Sequence, residues 1–227
     1  GARIMNLLDI FLAIDWSDIG LATVETLTMV GGSLLFTVIF GLPLGVILFL
    51  TGPRQPLAHA RLYGFLSLLV NLLRSMPFVI LLILMIPVTV ALVGTSIGVL
   101  GAIPPLVVGA TPFFARLVEN VLREVDRGII EASQSMGASL PQIIFGAVLP
   151  EAFPGLLAAT TVTAIALVSY AAMSGVIGGG GLGDLAIRFG YQRFQTDVMF
   201  VTVAILLVLV QLLQAFGDRL VHRFTRS

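Results

Sequence analysis

Few residues in this chain can do covalent chemistry, and their spacing excludes most reactions. All twelve basic residues other than the two histidines are arginine; no lysine occurs. A phosphate-binding loop of the G-x-x-x-x-G-K-[ST] kind needs a lysine to reach the β and γ phosphates, so this chain cannot hydrolyse ATP by that route. "GVIGGGGLGDL", residues 175–185, has the glycines of a phosphate cradle but follows a long apolar run, not a strand. Glycines in that setting let the chain turn tightly or re-enter a membrane. Ser174-Gly175 invites a nucleophile, yet a serine needs a base within reach. The only histidines, His59 and His222, fall on the opposite side by the orientation argued below. With no cysteine there is no thiol nucleophile, disulfide or cysteine-held zinc, and no metal site or catalytic residue is expected. No relay of carboxylates and histidines crosses the apolar stretches, which argues against a proton-driven carrier. What remains is one polar excursion past mid-chain, "IEASQSMGASLPQIIFGAVLPEAFPG", residues 130–155.

The elements that position this excursion are membrane helices. The chain is 58% hydrophobic and 11% charged, with mean hydropathy +1.08; a soluble domain carries about 25% charged residues. Zero net charge argues against nucleic acid as a partner. A helix needs about 20 apolar residues to cross, and five segments qualify: 21–50, 62–93, 97–122, 153–177 and 197–217. The apolar runs are long and continuous, unlike the alternation of a membrane barrel. With the N-terminus outside, the cytosolic side holds Arg54, Arg61, Arg116, Arg123, Arg127, Arg219, Arg223 and Arg226. The outer side holds only Arg3, Arg188 and Arg193, so the arginine bias predicts N-out and C-in. Residues 1–20 read as an external or interfacial lead-in with Trp16 at headgroup level, residues 21–223 as one transmembrane domain, and 224–227 as a cytosolic tail. Glu25, near the outer end of the first span, can stay hydrated there.

The second segment is too long for one crossing: its residues would span roughly 48 Å of helix against about 30 Å of hydrocarbon. Arg74 divides it, because an arginine at the bilayer centre costs at least about 2.5–3.5 kcal/mol. Placing 76–93 in the membrane leaves 57–73 as a cytosolic or interfacial helix. Arg74 then either snorkels from a helix end or faces an inward-open cavity.

The excursion itself, 126–150, is expected to form two short helices. The first ends at Gly137, and the second has Ser139 as N-cap with Pro141 in its first turn. Ile129, Ile130, Ala132, Ser133, Met136 and Gly137 make a small, mostly apolar face. That face either enters a partner's groove or packs on the protein's own cytosolic helix ends. Glu131 either reaches a partner or caps its own helix.

At these residues the sequence resembles a known family. ABC importer permeases carry Glu-Ala-Ala, three residues, Gly, nine residues, then Ile, any residue, Leu-Pro. Here stand Glu131-Ala132-Ser133, then Gly137, then Ala147-Val148-Leu149-Pro150 at that spacing. Ser133 replaces the second alanine and Ala147 the isoleucine; both stay small or apolar. "NLLRSMPFVILLILMIPVTVALVGTSIG", "ATPFFARLVEN" and "SYAAMSGVIGGGGLGDLAIRFGY" are similar to the permeases of the D,L-methionine importer family, over residues 20–223. The resemblance implies an all-α type I ABC importer permease of the bacterial inner membrane, with five transmembrane helices and a coupling helix between the third and fourth. It also implies a permease homodimer, two cytosolic ATPase subunits that bind ATP and magnesium, and an external substrate-binding lipoprotein. Glu131, Ala132, Ser133, Met136, Gly137, Leu149 and Pro150 would meet the ATPase.

Other positions have two readings. The fourth segment is rich in Ala, Ser and Thr, which let membrane helices approach closely; one face would alternatively line the transport path. Tyr170, Met173 and Ser174 then sit toward its outer end, with Met173 as an apolar gate. Asn71 and Arg74 share a helix face and are candidates for the same path. Arg116, Glu119 and Arg123 are spaced for structural ion pairs. A phosphonate would favour arginine in the spans, and a cationic osmoprotectant an aromatic cage. Methionine fits the available Met, Phe, Leu and Thr, with another amino acid or a passive channel as alternatives.

Overall fold

A computed structural model describes residues 15–225. Among these residues there is no strand, and the long elements are helices. They are α1 (Trp16–Thr51), α2 (Ala60–Ser75), α3 (Phe78–Val93), α4 (Gly98–Glu124), α5 (Arg127–Ser135), α6 (Leu140–Ile143), α7 (Leu149–Ser174), α8 (Gly181–Leu185) and α9 (Thr196–Thr225). Among the described residues, four helical stretches are long and apolar enough to cross a membrane, or five if α2 and α3 together count as one broken span.

α1 begins at Trp16, ahead of the expected residue 21, because Asp15 supplies its N-cap. The Asp15 carboxylate accepts from the Ser17 N–H at 3.0 Å and from its hydroxyl at 2.7 Å. Chiefly the hydroxyl bond, then the backbone one, holds the Asp15 carboxyl below its ordinary pKa. The rest of the expected lead-in, and the C-terminal Arg226, lie outside the described residues.

The expected division of the second segment occurs at Met76-Pro77. A residue before proline is driven out of the helical region, and Met76 is extended at φ −74°, ψ 132°. Arg74 falls in the last turn of α2, where the helix dipole favours a cation. The fourth segment corrects the sequence reading. The second helix of the excursion does not stop before the span; helix runs on from Leu140 to Ser174, through a π turn at Ile144–Val148. Pro150 explains the turn. Its ring clashes with the carbonyl four residues back and it lacks an N–H, and a π turn just ahead relieves that crowding. The Leu149 N–H accordingly reaches the Ile144 carbonyl.

The chain divides into two compact units. One comprises the described residues up to Gly32 with Phe78–Leu106 and Leu167–Gln211; the other comprises Ser33–Pro77, Val107–Ala166 and the C-terminal part from Leu212. In the second unit, α1 meets α4 through glycines one turn apart. A Cβ on Gly41 would lie 2.8 Å from the Phe114 ring, and one on Gly45 would lie 2.6 Å from Val118. This is the small-xxx-small contact by which membrane helices pack. In the first unit, Ile19 and Ala22 of α1 pack with Leu182 and Leu185 of α8, flanked by Phe189, Val198 and Val201.

Candidate functional site

The excursion folds as a helix–turn–helix whose stops are all local. Asp126 caps α5, accepting from the Gly128 N–H at 2.8 Å. Glu131 therefore does not cap its own helix; it stands exposed in the middle of α5. Gly137 ends the helix at φ +78°, a left-handed conformation that glycine adopts without strain. The Ala138 N–H bonds the Ser133 carbonyl at 3.1 Å, and the Gly137 N–H bonds the Gln134 carbonyl at 2.9 Å. That pair of bonds is a Schellman stop. Ser139 then opens α6: its backbone N–H and hydroxyl both donate to Gln142 Oε1, at 2.8 and 2.9 Å.

The turn has an inward and an outward side. Ile130, Ile143, Ile144 and Val148 are buried in one cluster with Phe49, Leu50, Val118, Leu122 and Val125. The α5–α6 hairpin is thus fixed to the ends of α1 and α4 by apolar contact. The outward side carries Glu131, Ala132, Gln134, Ser135, Met136 and Gly137, all exposed. Met136 is 81% and Phe145 72% exposed. Ser133 is half-buried, with its hydroxyl on the Ile129 carbonyl at 2.8 Å. Leu149 is half-buried and Pro150 exposed. The apolar face therefore divides: the isoleucines pack within the protein, while Ala132 and Met136 face away from it.

Sequence reasoning missed the contribution of the α1–α2 loop. Arg127 donates to the Arg54 carbonyl at 2.8 Å, and Arg54 itself has φ +62°. The two arginines, Gln55, Pro56, Glu131 and Gln134 line a cleft of about 250 Å³ beside α5. No local pattern signals this, because α2, α3 and α4 all lie between Arg54 and Arg127 in the chain.

The expected arginine–glutamate spacing on α4 is realised, and it is the centre of a larger network. Glu119, 1% exposed, pairs with Arg116 and, at 2.7 Å, with Arg123, and accepts from the Tyr63 hydroxyl at 3.1 Å. Arg116 goes on to Ser67 Oγ at 2.8 Å and Asn71 Oδ1 at 3.0 Å. Asn71 is thus engaged in stapling α2 to α4. Arg74 lies over the Phe113 ring, 5.8 Å from its centroid, a cation–π contact. These residues belong to the second unit.

Tyr170, Met173 and Ser174 belong to the first. Tyr170 stacks on Phe78 with centroids 4.4 Å apart. Met173 is half-exposed, and Ser174 is fully buried. The Ser174 hydroxyl donates to the Ala171 carbonyl at 2.7 Å, so it is a packed helix-end hydroxyl. Among the described residues no three His, Cys, Asp or Glu side chains cluster to hold a metal.

Long apolar helices, joined by a turn that is anchored on the ends of two of them, suit a multi-pass membrane protein. Residues 41–226 match the family model described as "Binding-protein-dependent transport system inner membrane component". The chain belongs to that family. It is a multi-pass inner-membrane protein with the type I ABC importer permease fold. The chain is 50% identical to the probable D-methionine transport system permease protein MetI of Vibrio cholerae, covering 89% of this chain and 90% of the relative. It is 45% identical to the methionine import system permease protein MetP of Bacillus subtilis, covering 92% and 94%. A solved structure of the MetNI methionine ABC transporter, described as inward facing, superposes with TM-score 0.91 at 48% identity, covering 92% of this chain and 97% of that one.

Proposed function

We propose that this chain is the membrane subunit of an ATP-driven importer that carries L- and D-methionine into the cell. It works as a homodimer with two cytosolic ATPase subunits and an external substrate-binding lipoprotein. ATP and magnesium belong to the ATPase subunits; this chain supplies the path and the lever. Closure of the ATPases pushes on Glu131, Ala132, Met136 and Gly137. The isoleucines behind them pass the push to α1 and α4 without slack, and the spans rock between inward- and outward-facing states.

The observation that carries this reading is the Schellman-stopped α5, capped at both ends and backed by buried Ile130, with Glu131, Ala132, Gln134 and Ser135 turned outward. The names of relatives at 45–50% identity over about nine-tenths of the chain support methionine as the cargo.

Gly137→Val tests the coupling. The valine must adopt φ +78°, which a β-branched residue resists, so the stop unwinds. Labelled methionine uptake is expected to fall at least tenfold while the permease–ATPase complex still assembles. Unchanged uptake by a fully assembled complex would refute the lever. Competition by unlabelled phosphonate or a quaternary ammonium osmoprotectant, but not by methionine, would refute the substrate.

A further inference from the structure

The glycine-rich segment 175–183 is held at one end by two side chains of α1. The Gly181 N–H donates to Glu25 Oε2 at 2.7 Å and the Leu182 N–H donates to Thr26 Oγ1 at 2.9 Å. Both N–H groups open the short helix α8, where the backbone has no partner within the helix. The approach is close enough to require glycine. A Cβ on Gly180 would stand 3.0 Å from Glu25 Oε2, and one on Gly181 would stand 2.6 Å from Thr26 Oγ1. Their φ values are +81° and +73°. At these two glycines the contact reaches backbone directly, and the next residue, Leu182, packs its side chain on Ile19 and Ala22.

The hold extends to the end of α7. Ser174 Oγ lies 3.9 Å from the sulfur of fully buried Met29, one turn beyond Glu25 and Thr26 on α1. The Gly179 N–H bonds the Ser174 carbonyl at 3.0 Å. Glu25 is half-buried and opens onto a cleft of about 220 Å³ that Asp18, Asp184 and Arg188 also line. A carboxylate released from Gly181 would thus become hydrated instead of stranded in apolar surroundings. At Glu25 a protein hydrogen bond is exchanged for a water one, which is close to balanced; buried Thr26 and Leu182 keep the second contact.

We propose that Glu25 is the positioning residue for the outer end of the transport path: through Gly181 it seats the glycine-rich segment over Ser174, and the segment moves when that bond is released. The proposal rests on the importer reading, because it assigns the release to the outward-opening step.

The chain has no cysteine, so Ser174→Cys gives it a single thiol, and labelling is read on this subunit after separation from its partners. The assembled complex is labelled without nucleotide by a membrane-impermeant maleimide, in right-side-out and inside-out vesicles. With Glu25 intact, labelling is slow. Glu25→Ala is expected to speed it at least tenfold from the outer side only. Glu25→Gln, whose amide oxygen accepts the same bond, should stay within about twofold of the intact protein. Thr26→Val, which removes the second acceptor with little change in size, should move in the same direction as Glu25→Ala and keeps the test valid if that variant fails to assemble. In proteoliposomes, Glu25→Ala should raise the ATP hydrolysed per methionine imported, and Glu25→Gln should restore the ratio. Equal labelling rates with and without the Glu25→Ala substitution, or acceleration in Glu25→Gln as large as in Glu25→Ala, would overturn the proposal. Absence of ATP-dependent methionine uptake by the unsubstituted complex would instead overturn the importer reading, leaving the labelling contrast to judge the seat.

Discussion

The α5–α6 turn and the glycine-rich segment are both short irregular pieces between long helices, and they differ in how much of their hold is backbone hydrogen bonding. The α5–α6 turn is anchored by side chains: Ile130, Ile143, Ile144 and Val148 are buried among the ends of α1 and α4. Residues 175–183 add backbone anchors to the burial of Leu182 against Ile19 and Ala22: N–H groups on Glu25 and Thr26, and glycines where no Cβ fits. Burial of apolar area is non-directional and strengthens with every contact. It suits a part that must transmit force without giving way. A backbone hydrogen bond to a half-buried carboxylate is directional and individually modest. It suits a part that can take two positions.

The comparison breaks first at the apolar anchor. Ile130→Ala should destabilise the assembled protein by about 2–5 kcal/mol, the usual range for a buried isoleucine. Thermal unfolding in detergent, with ATPase co-purification on the same sample, measures it. If stability is unchanged, the turn is not held by its isoleucines and the contrast fails.

The glycine-rich segment should break sterically. A Cβ at Gly183 runs into the backbone of Ala172, which cannot swing aside as a side-chain tip can. Gly183→Ala is expected to cost about 1–3 kcal/mol by overpacking, with a lower yield of folded protein by size-exclusion chromatography. By contrast Gly146→Ala meets nothing within 4 Å and should leave the yield unchanged. Equal yields for the two would mean that the segment has slack.

A smaller effect is expected at the α5 cap. Asp126→Ala removes the acceptor for the Gly128 N–H and should cost about 1 kcal/mol, read as faster amide exchange in the first turn of α5. Asp126→Asn should recover most of it. Exchange that is fast already in the unsubstituted protein would show that the cap is not what orders the turn.

Much of this is legible in the chain, for reasons that differ by residue. The spans follow from apolar runs that no soluble fold tolerates, and the Met76-Pro77 break from the restriction that proline places on its predecessor. Gly137, Ser139 and Pro141 are local signals, so the stop of α5 and the start of α6 are readable. The π turn before Pro150 is not, because whether a proline ends a helix or bends its register depends on what packs around it; here Ile143, Ile144 and Val148 are pinned in the core. Arg116, Glu119 and Arg123 announce their pairing by spacing, but Tyr63, Ser67 and Asn71 join it across 45 to 60 residues of chain. Glu25 reads as a hydrated carboxylate for the same reason: its partner is a backbone N–H 156 residues away.

The smallest change in stability should come with a large change in function, at Met136. It is 81% exposed, and it follows the last helical residue of α5, where its own N–H already closes on the Ala132 carbonyl at 3.1 Å. Its side chain therefore contributes almost nothing to the fold, and Met136→Ala should shift stability by no more than about 0.5 kcal/mol. An exposed thioether on a rigid turn is costly to leave in water and adapts to an irregular apolar groove. If that groove belongs to the ATPase, Met136→Ala should weaken co-purification of the ATPase and lower uptake, while the folded permease dimer is retained. Ile130→Ala would lose both together. Should Met136→Ala leave ATPase binding and uptake intact, the outward side of α5 is not the docking face. The force would then have to enter elsewhere, and the cleft between α5 and the Arg54 loop is the neighbouring surface on the same unit that the same assay can probe, through Arg127→Ala.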